Sequence, residues 1–157
     1  MSSFRPVRHY LPHRAPMLLL DELLAVDDDT CHCRVTVSRA GVLAPFVNAD
    51  GAVPAWFGLE IMAQAVAVWS GWHQRREGAQ DIALGMLLGS RQFTTEVSVF
   101  AAGAVLDVRV TLLARDERIG GFDADIHQGA ALLAHARLTT CQLATHELTA
   151  LFERGSG

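Results

Sequence analysis

The sequence predicts an α+β fold, one long buried helix wrapped by a curved antiparallel sheet, and three observations carry that prediction. One run, from Pro54 to about His73, is almost wholly apolar and rich in helix formers. Segments on both sides of it alternate apolar and polar residues, the pattern of half-buried strands. The order is two strands, one helix, then three or four strands, which segregates helix from sheet. At 157 residues, half of them hydrophobic and 19% charged, the chain suits one domain spanning 1–157, with enough length for a core. That composition excludes disorder.

The helix has ordinary start and stop signals. Pro54 opens it, and His73, Arg75 and Arg76 supply cations before Gly78. Trp56, Phe57, Leu59, Ile61, Met62, Val66, Val68, Trp69 and Trp72 point in almost every direction around a 3.6-residue wheel. A helix apolar all round is expected to be buried all round. Glu60 and Gln64 interrupt it, four residues apart and so on one face. That face continues through the small residues Ala67 and Gly71. A carboxylate on a buried helix is costly unless it is paired or used. Glu60 is therefore where the question of function begins. The run is long enough to cross a bilayer, at roughly 20 residues. Glu60 near its middle and the amphipathic strands around it favour a core helix instead, with no membrane partner.

The remaining elements follow in order. Pro12 and Pro16 forbid a regular helix across Leu11–Pro16. Met17–Val26 is read as a strand, Asp27–Asp29 as a turn, and Thr30–Val37 as a strand with Cys31, Cys33, Val35 and Val37 on one face. Gly41–Val53 is a loop feeding the helix, and Glu77–Asp81 a linker. Leu84–Glu96 and Val97–Val99 are extended chain interrupted by Gly85 and Gly89, and Ala101–Gly103 is a turn. Val105–Leu113 and Gly121–His127 alternate, the latter with Phe122, Ala124 and Ile126 inward, and Arg115–Gly121 turns the chain between them. Gln128–Gly129 makes the next hairpin and Ala131–Leu143 closes the sheet. Thr145–Phe152 is expected to add one or two helical turns. A sheet can cover only one side of the helix. The other positions, Glu60 included, must meet something else, and a second copy is the economical answer: a homodimer.

Charge and cysteine usage exclude other classes. A net charge of −4 without a basic run argues against nucleic acid. Cys31, Cys33 and Cys141 lack zinc-ligand spacing and are read as reduced core thiols of a cytoplasmic chain. His9, His32, His127, His135 and His146 fall on strands or termini without partners at metal spacing. Neither a metal nor a cofactor is expected.

Leu11-Pro-His-Arg-Ala-Pro-Met-Leu-Leu-Leu-Asp21, together with the helix carrying Pro54, Glu60 and Met62-Ala-Gln64, resembles the 3-hydroxyacyl-[acyl carrier protein] dehydratases. The resemblance covers most of the chain. It is strongest to the dehydratase-like proteins of aryl polyene clusters, whose helix also begins Val-Pro-Ala-Trp. It implies a hotdog fold, in which two protomers build acyl tunnels at their interface, and a thioester substrate on acyl carrier protein or coenzyme A, in fatty acid or polyene synthesis. The implied partner subunit is an identical copy or, in a heterodimer, another dehydratase. The family chemistry is β-elimination of water, with a histidine removing the α-proton and a helix carboxylate protonating the leaving hydroxyl.

Glu60 matches the carboxylate, and an apolar tunnel would raise its pKa and keep it a proton donor. Backbone N–H groups of Ala55 and Trp56 are candidates to polarise the thioester carbonyl. Gln64 and Phe46 join them as expected substrate contacts. The bland reading of Glu60 is a structural carboxylate bonded to Gln64 or to a loop. The family's histidine position falls on Phe46, in Ala44-Pro-Phe-Val-Asn-Ala-Asp-Gly51, and no histidine lies between His32 and His73. Three replacements stay open. Asp50 or Asn48 could bind or activate a water, which suits a thioesterase better than an elimination. His13 could reach the tunnel, or else its imidazole merely pins the Pro12–Pro16 turn. Or elimination is lost, leaving a non-catalytic acyl-binding subunit. Arg14, Arg75, Arg76 and Arg91 are candidates to meet an acidic carrier.

Overall fold

The computed structural model describes residues 4–14, 16–80, 85–116 and 119–142. Strands β1 (Glu22–Val26) and β2 (Thr30–Thr36) come first, then a short β3 (Val53–Pro54) and the helix α1 (Gly58–Arg76). β4 (Gly85–Thr95), β5 (Val99–Phe100), β6 (Val105–Arg115), β7 (Ile119–Gln128) and β8 (Ala131–Gln142) follow. Six strands form one sheet in the order β1-β2-β6-β7-β8-β4, and β3 pairs with β5 apart from it. Every pairing is antiparallel.

Period-two patterning decides which side of the sheet meets the helix. Cys31, Cys33 and Val35 on β2, Leu106, Val108 and Val110 on β6, and Phe122, Ala124 and Ile126 on β7 are buried. They face α1, whose Ile61, Met62, Ala65, Val68 and Trp69 are buried too. Each large aliphatic or aromatic side chain so buried contributes about 1.5–3 kcal/mol. The outer face carries the intervening polar residues in cross-strand pairs. His32 Nε2 lies 2.8 Å from Asp107 Oδ1, an oxygen that Arg34 also bonds, and His135 Nε2 lies 2.7 Å from Asp123 Oδ1. These histidines belong to the sheet surface, as their spacing suggested. Cys31 and Cys33 are buried thiols.

The structure corrects several boundaries. Pro54 does not open the α-helix: it sits in β3 and caps a 3-10 turn, Ala55–Phe57, from which α1 departs at Gly58. The first strand starts at Glu22, because the backbone of Met17 and Leu19 bonds the Gln64 side chain rather than a neighbouring strand. The Arg115–Gly121 turn shrinks around Asp116. Gly120 and Gly121 are strand residues paired with Thr140 and Thr139. A Cβ on Gly120 would sit 2.8 Å from the Phe122 ring, so packing rather than turning requires that glycine. The helix expected over Thr145–Phe152 and His146 lie outside the described residues.

The helix is not buried all round. Glu60 is exposed, Trp56 is 66% exposed, and Ala63 and Ala67 are half-buried. Gln64 and Gly71, expected on the same face as Glu60, lie instead on the sealed side. There the N-terminal segment crosses the helix so closely that a Cβ on Gly71 would lie 1.7 Å from the Tyr10 carbonyl oxygen. A 40° step on the wheel separates a covered face from an open one. Among the described residues, no helix is long and apolar enough to cross a membrane.

Candidate functional site at the amino end of the central helix

The pairing of β3 with β5 fixes where α1 starts. Val53 faces Phe100 and Pro54 faces Val99, and the Ala55 N–H donates to the Ser98 carbonyl at 3.0 Å. That bond corrects one expectation: the Ala55 N–H is taken and cannot serve a substrate oxygen. The next donor is Trp56. It lies in the opening turn, where an N–H has no preceding carbonyl of the helix to bond, and it makes no bond outside the helix among the described residues. Gly58 completes this end, since a Cβ there would meet the Phe100 ring at 3.0 Å and Ile126 at 3.3 Å.

Aromatic side chains wall the same end. The Phe46 and Phe57 rings stand 4.5 Å apart, and Trp56 meets Phe57 edge-on at 5.5 Å. Phe46 thus contributes an apolar surface at the place where the family pattern has its histidine. Asn48 and Asp50 do different work from each other. The Asn48 Oδ1 accepts from the N–H groups of Asp50 (2.9 Å) and Ala52 (3.1 Å), closing the turn that Gly51 completes at φ 80°. Asp50 is exposed at the tip of that turn.

Gln64 is committed to the backbone at both ends. Its Oε1 accepts from the Leu19 N–H at 2.6 Å and its Nε2 donates to the Met17 carbonyl at 2.9 Å. It does not bond Glu60. The Glu60 carboxylate has no hydrogen bond or ion pair among the described residues, so the structural reading of that residue finds no partner.

His13 is the residue the fold brings to Glu60. Burial lowers its pKa below the ordinary histidine value, and the nearby Glu60 charge acts in the opposite direction. The imidazole is neutral at pH 7, and its buried Nδ1 has no hydrogen-bond partner among the described residues. The turn around it is pinned by Arg14 instead, whose Nη1 donates to the carbonyls of Leu11 (2.9 Å), His13 (2.7 Å) and Arg8 (3.3 Å). Sequence reasoning gave Arg14 only a surface role. An arginine beside a proline-broken turn, where carbonyls lack helical donors, was the available signal. A neutral imidazole, an uncommitted carboxyl, an orphan N–H and an aromatic wall together can move a proton off one carbon and onto a leaving oxygen. No group of three or more His, Cys, Asp or Glu residues that could hold a metal ion occurs among the described residues.

Residues 5–153 match the family model described as "ApeP-like: ApeP dehydratase". The chain belongs to the ApeP-like dehydratase family. It is 48% identical to a chain of the dehydratase heterocomplex ApeI:P from Xenorhabdus doucetiae, over 95% of this chain and 98% of that one, with a TM-score of 0.91. Two more distant structures share the hotdog fold alone. One is a hypothetical thioesterase protein with coenzyme A from Streptococcus pneumoniae TIGR4, at 14% identity over 78% of this chain and 85% of that one, TM-score 0.59. The other is the uncharacterized protein PH1136 from Pyrococcus horikoshii, at 10% identity over 92% and 99%, TM-score 0.64. No curated protein sequence matches the chain.

Proposed function

We propose that this ApeP-like protein dehydrates 3-hydroxyacyl thioesters in polyene synthesis, with His13 as base and Glu60 as acid. The observation that carries the reading is the pairing of an unpartnered Glu60 with a half-buried His13 that feels its charge. Neutral His13 takes the α-proton, the electron pair of that C–H bond becomes the new double bond, and the β C–O bond breaks. Glu60 donates its proton to the departing hydroxyl, which leaves as water. The Trp56 N–H is the donor available to the thioester oxygen as negative charge develops there.

A second subunit belongs to this reading. Trp56 is 66%, Met17 55% and Val99 38% exposed, an apolar surface at the site that a partner's hydrophobic face would cover. Closing it would also exclude water from the site. The partner is an identical copy or another dehydratase subunit, and the acyl group arrives on acyl carrier protein or coenzyme A. A second reading has its own support: Ala44–Gly51 holds no histidine, and the relative at 48% identity was solved as a heterocomplex. In it the chain shapes a tunnel for an active partner and performs no chemistry.

Mass spectrometry of a 3-hydroxyacyl carrier protein, incubated with the protein alone and with a partner dehydratase, separates the readings. Water loss that disappears in Glu60→Gln and in His13→Gln supports the pair. Release of free acid would make the protein a thioesterase. Water loss indifferent to both substitutions would leave the chain a scaffold.

A further inference from the structure

The chain contains no lysine: all 13 of its basic side chains are arginine, and four of them meet at one place. A cleft of about 290 Å³ is lined by Arg5, Arg8, Arg14 and Arg75, with Pro6 and His9. Among the described residues, no carboxylate lines it. None of the four arginines makes an ion pair among the described residues, although Arg34 and Arg76 elsewhere do. A protein of net charge −4 that gathers four uncompensated cations around one concavity stores repulsion that an anion would relieve.

Two of the four arginines are already held in place. Arg14 is held through Nη1 by three carbonyls. Arg75 is held through Nε by the His9 carbonyl at 2.9 Å and through Nη1 by the carbonyls of Ala79 and Gln80. In both, the Nη2 group has no bond among the described residues. Arg5 and Arg8 are exposed and make no side-chain hydrogen bonds among the described residues, so they are free to close from above. His9 adds no negative character. Burial, then the charges of Arg75 and Arg5, hold its pKa below the ordinary histidine value, so it stays neutral beside the arginines. Guanidinium groups lining a small polar hollow match the oxygens of a phosphate, to which Arg5 and Arg8 can each offer paired N–H groups and Arg14 and Arg75 their Nη2. A flat acidic protein surface would not enter such a hollow.

We propose that this cleft is a phosphate-binding site and that it takes the phosphate of the arm carrying the acyl thioester. The second half of that statement rests on the function proposed above. Its geometric support is distance along the helix: Arg75 lies about 22 Å from Glu60 along α1, at 1.5 Å per residue. A long, thin arm with its phosphate at one end and its thioester at the other spans such an interval.

The test is calorimetric titration of the full-length protein at low ionic strength. Pyrophosphate is the probe for the cleft, and 4′-phosphopantetheine against pantetheine is the probe for the arm. Arg5→Gln combined with Arg8→Gln removes charge without removing a structural bond, and Arg109→Gln on the sheet surface is the control. The expected result is saturable pyrophosphate binding, weakened at least tenfold in the double variant and unchanged in the control, with phosphopantetheine bound and pantetheine not. Absence of saturable pyrophosphate binding, or equal binding by wild type and double variant, overturns the site. Pyrophosphate bound but phosphopantetheine not bound overturns the arm assignment alone. Turnover of a thioester lacking phosphate reports separately on Glu60 and His13.

Discussion

Gln64 and Glu60 stand one turn apart on the same helix, and the fold treats them in opposite ways. Gln64 is 4% exposed and spends its amide on the backbone of Met17 and Leu19. Glu60 is exposed, bonds nothing among the described residues, and has His13 for a neighbour. One polar group on the helix buys architecture; the other is left available for chemistry. The segment from Tyr10 to Leu19 makes the difference, because it crosses the helix over Gly71 and Gln64 and delivers His13 toward Glu60.

Substitutions sharpen this contrast because they should fail in different assays. Glu60→Gln should lower dehydration by about 10²–10⁴-fold, the usual loss on removing a general acid, with urea unfolding unchanged. Gln64→Leu should do the reverse. It strands the Leu19 N–H and the Met17 carbonyl and should cost about 2–4 kcal/mol of stability, read as a lower urea midpoint. Equal stability losses in the two variants would erase the distinction. Gly71→Ala should be the next largest effect. Its methyl must displace the Tyr10 carbonyl, an overpacking that typically costs about 1–3 kcal/mol. It should also reduce activity indirectly, by shifting the segment that carries His13.

The smallest effect concerns pH. The folded pKa of His13 lies below its unfolded value of 6.5 because burial disfavours the charged ring. Its neutral form, and the stability associated with it, is fully present above the unfolded value and is lost as pH falls through the folded one. The acidic limb of the rate profile should therefore fall below pH 6.5. A limb above the ordinary histidine value would contradict the burial of His13.

Much of the fold was legible because a period of two residues leaves little choice. Cys31, Cys33 and Val35, or Phe122, Ala124 and Ile126, can reach a core only from a strand. The helix was legible from its apolar density. Its exposure was not, because hydrophobicity marks a surface that wants covering without saying whether the cover lies in the same chain. That is why Trp56 and Glu60 were expected to be enclosed, and why Gln64 was grouped with Glu60 instead of with Gly71. In the site, Glu60 stood out as a carboxylate on an apolar helix. The occupation of the Ala55 N–H by Ser98 was invisible, since it depends on the two-residue pairing of Val53 and Pro54 with Val99 and Phe100. The neighbourhood of His13 and Glu60 likewise joins residues 47 positions apart, a juxtaposition no local pattern encodes.

The proposed chemistry depends on electrostatic coupling between His13 and Glu60 of one chain. Titration of the His13 ring by nitrogen-15 NMR, in the wild type and in Glu60→Gln, measures that coupling directly. Because the Glu60 charge raises the His13 pKa against burial, neutralising it should move the titration to lower pH. An unchanged His13 titration in Glu60→Gln would mean that the two groups do not interact, and the pair could not act together on one substrate.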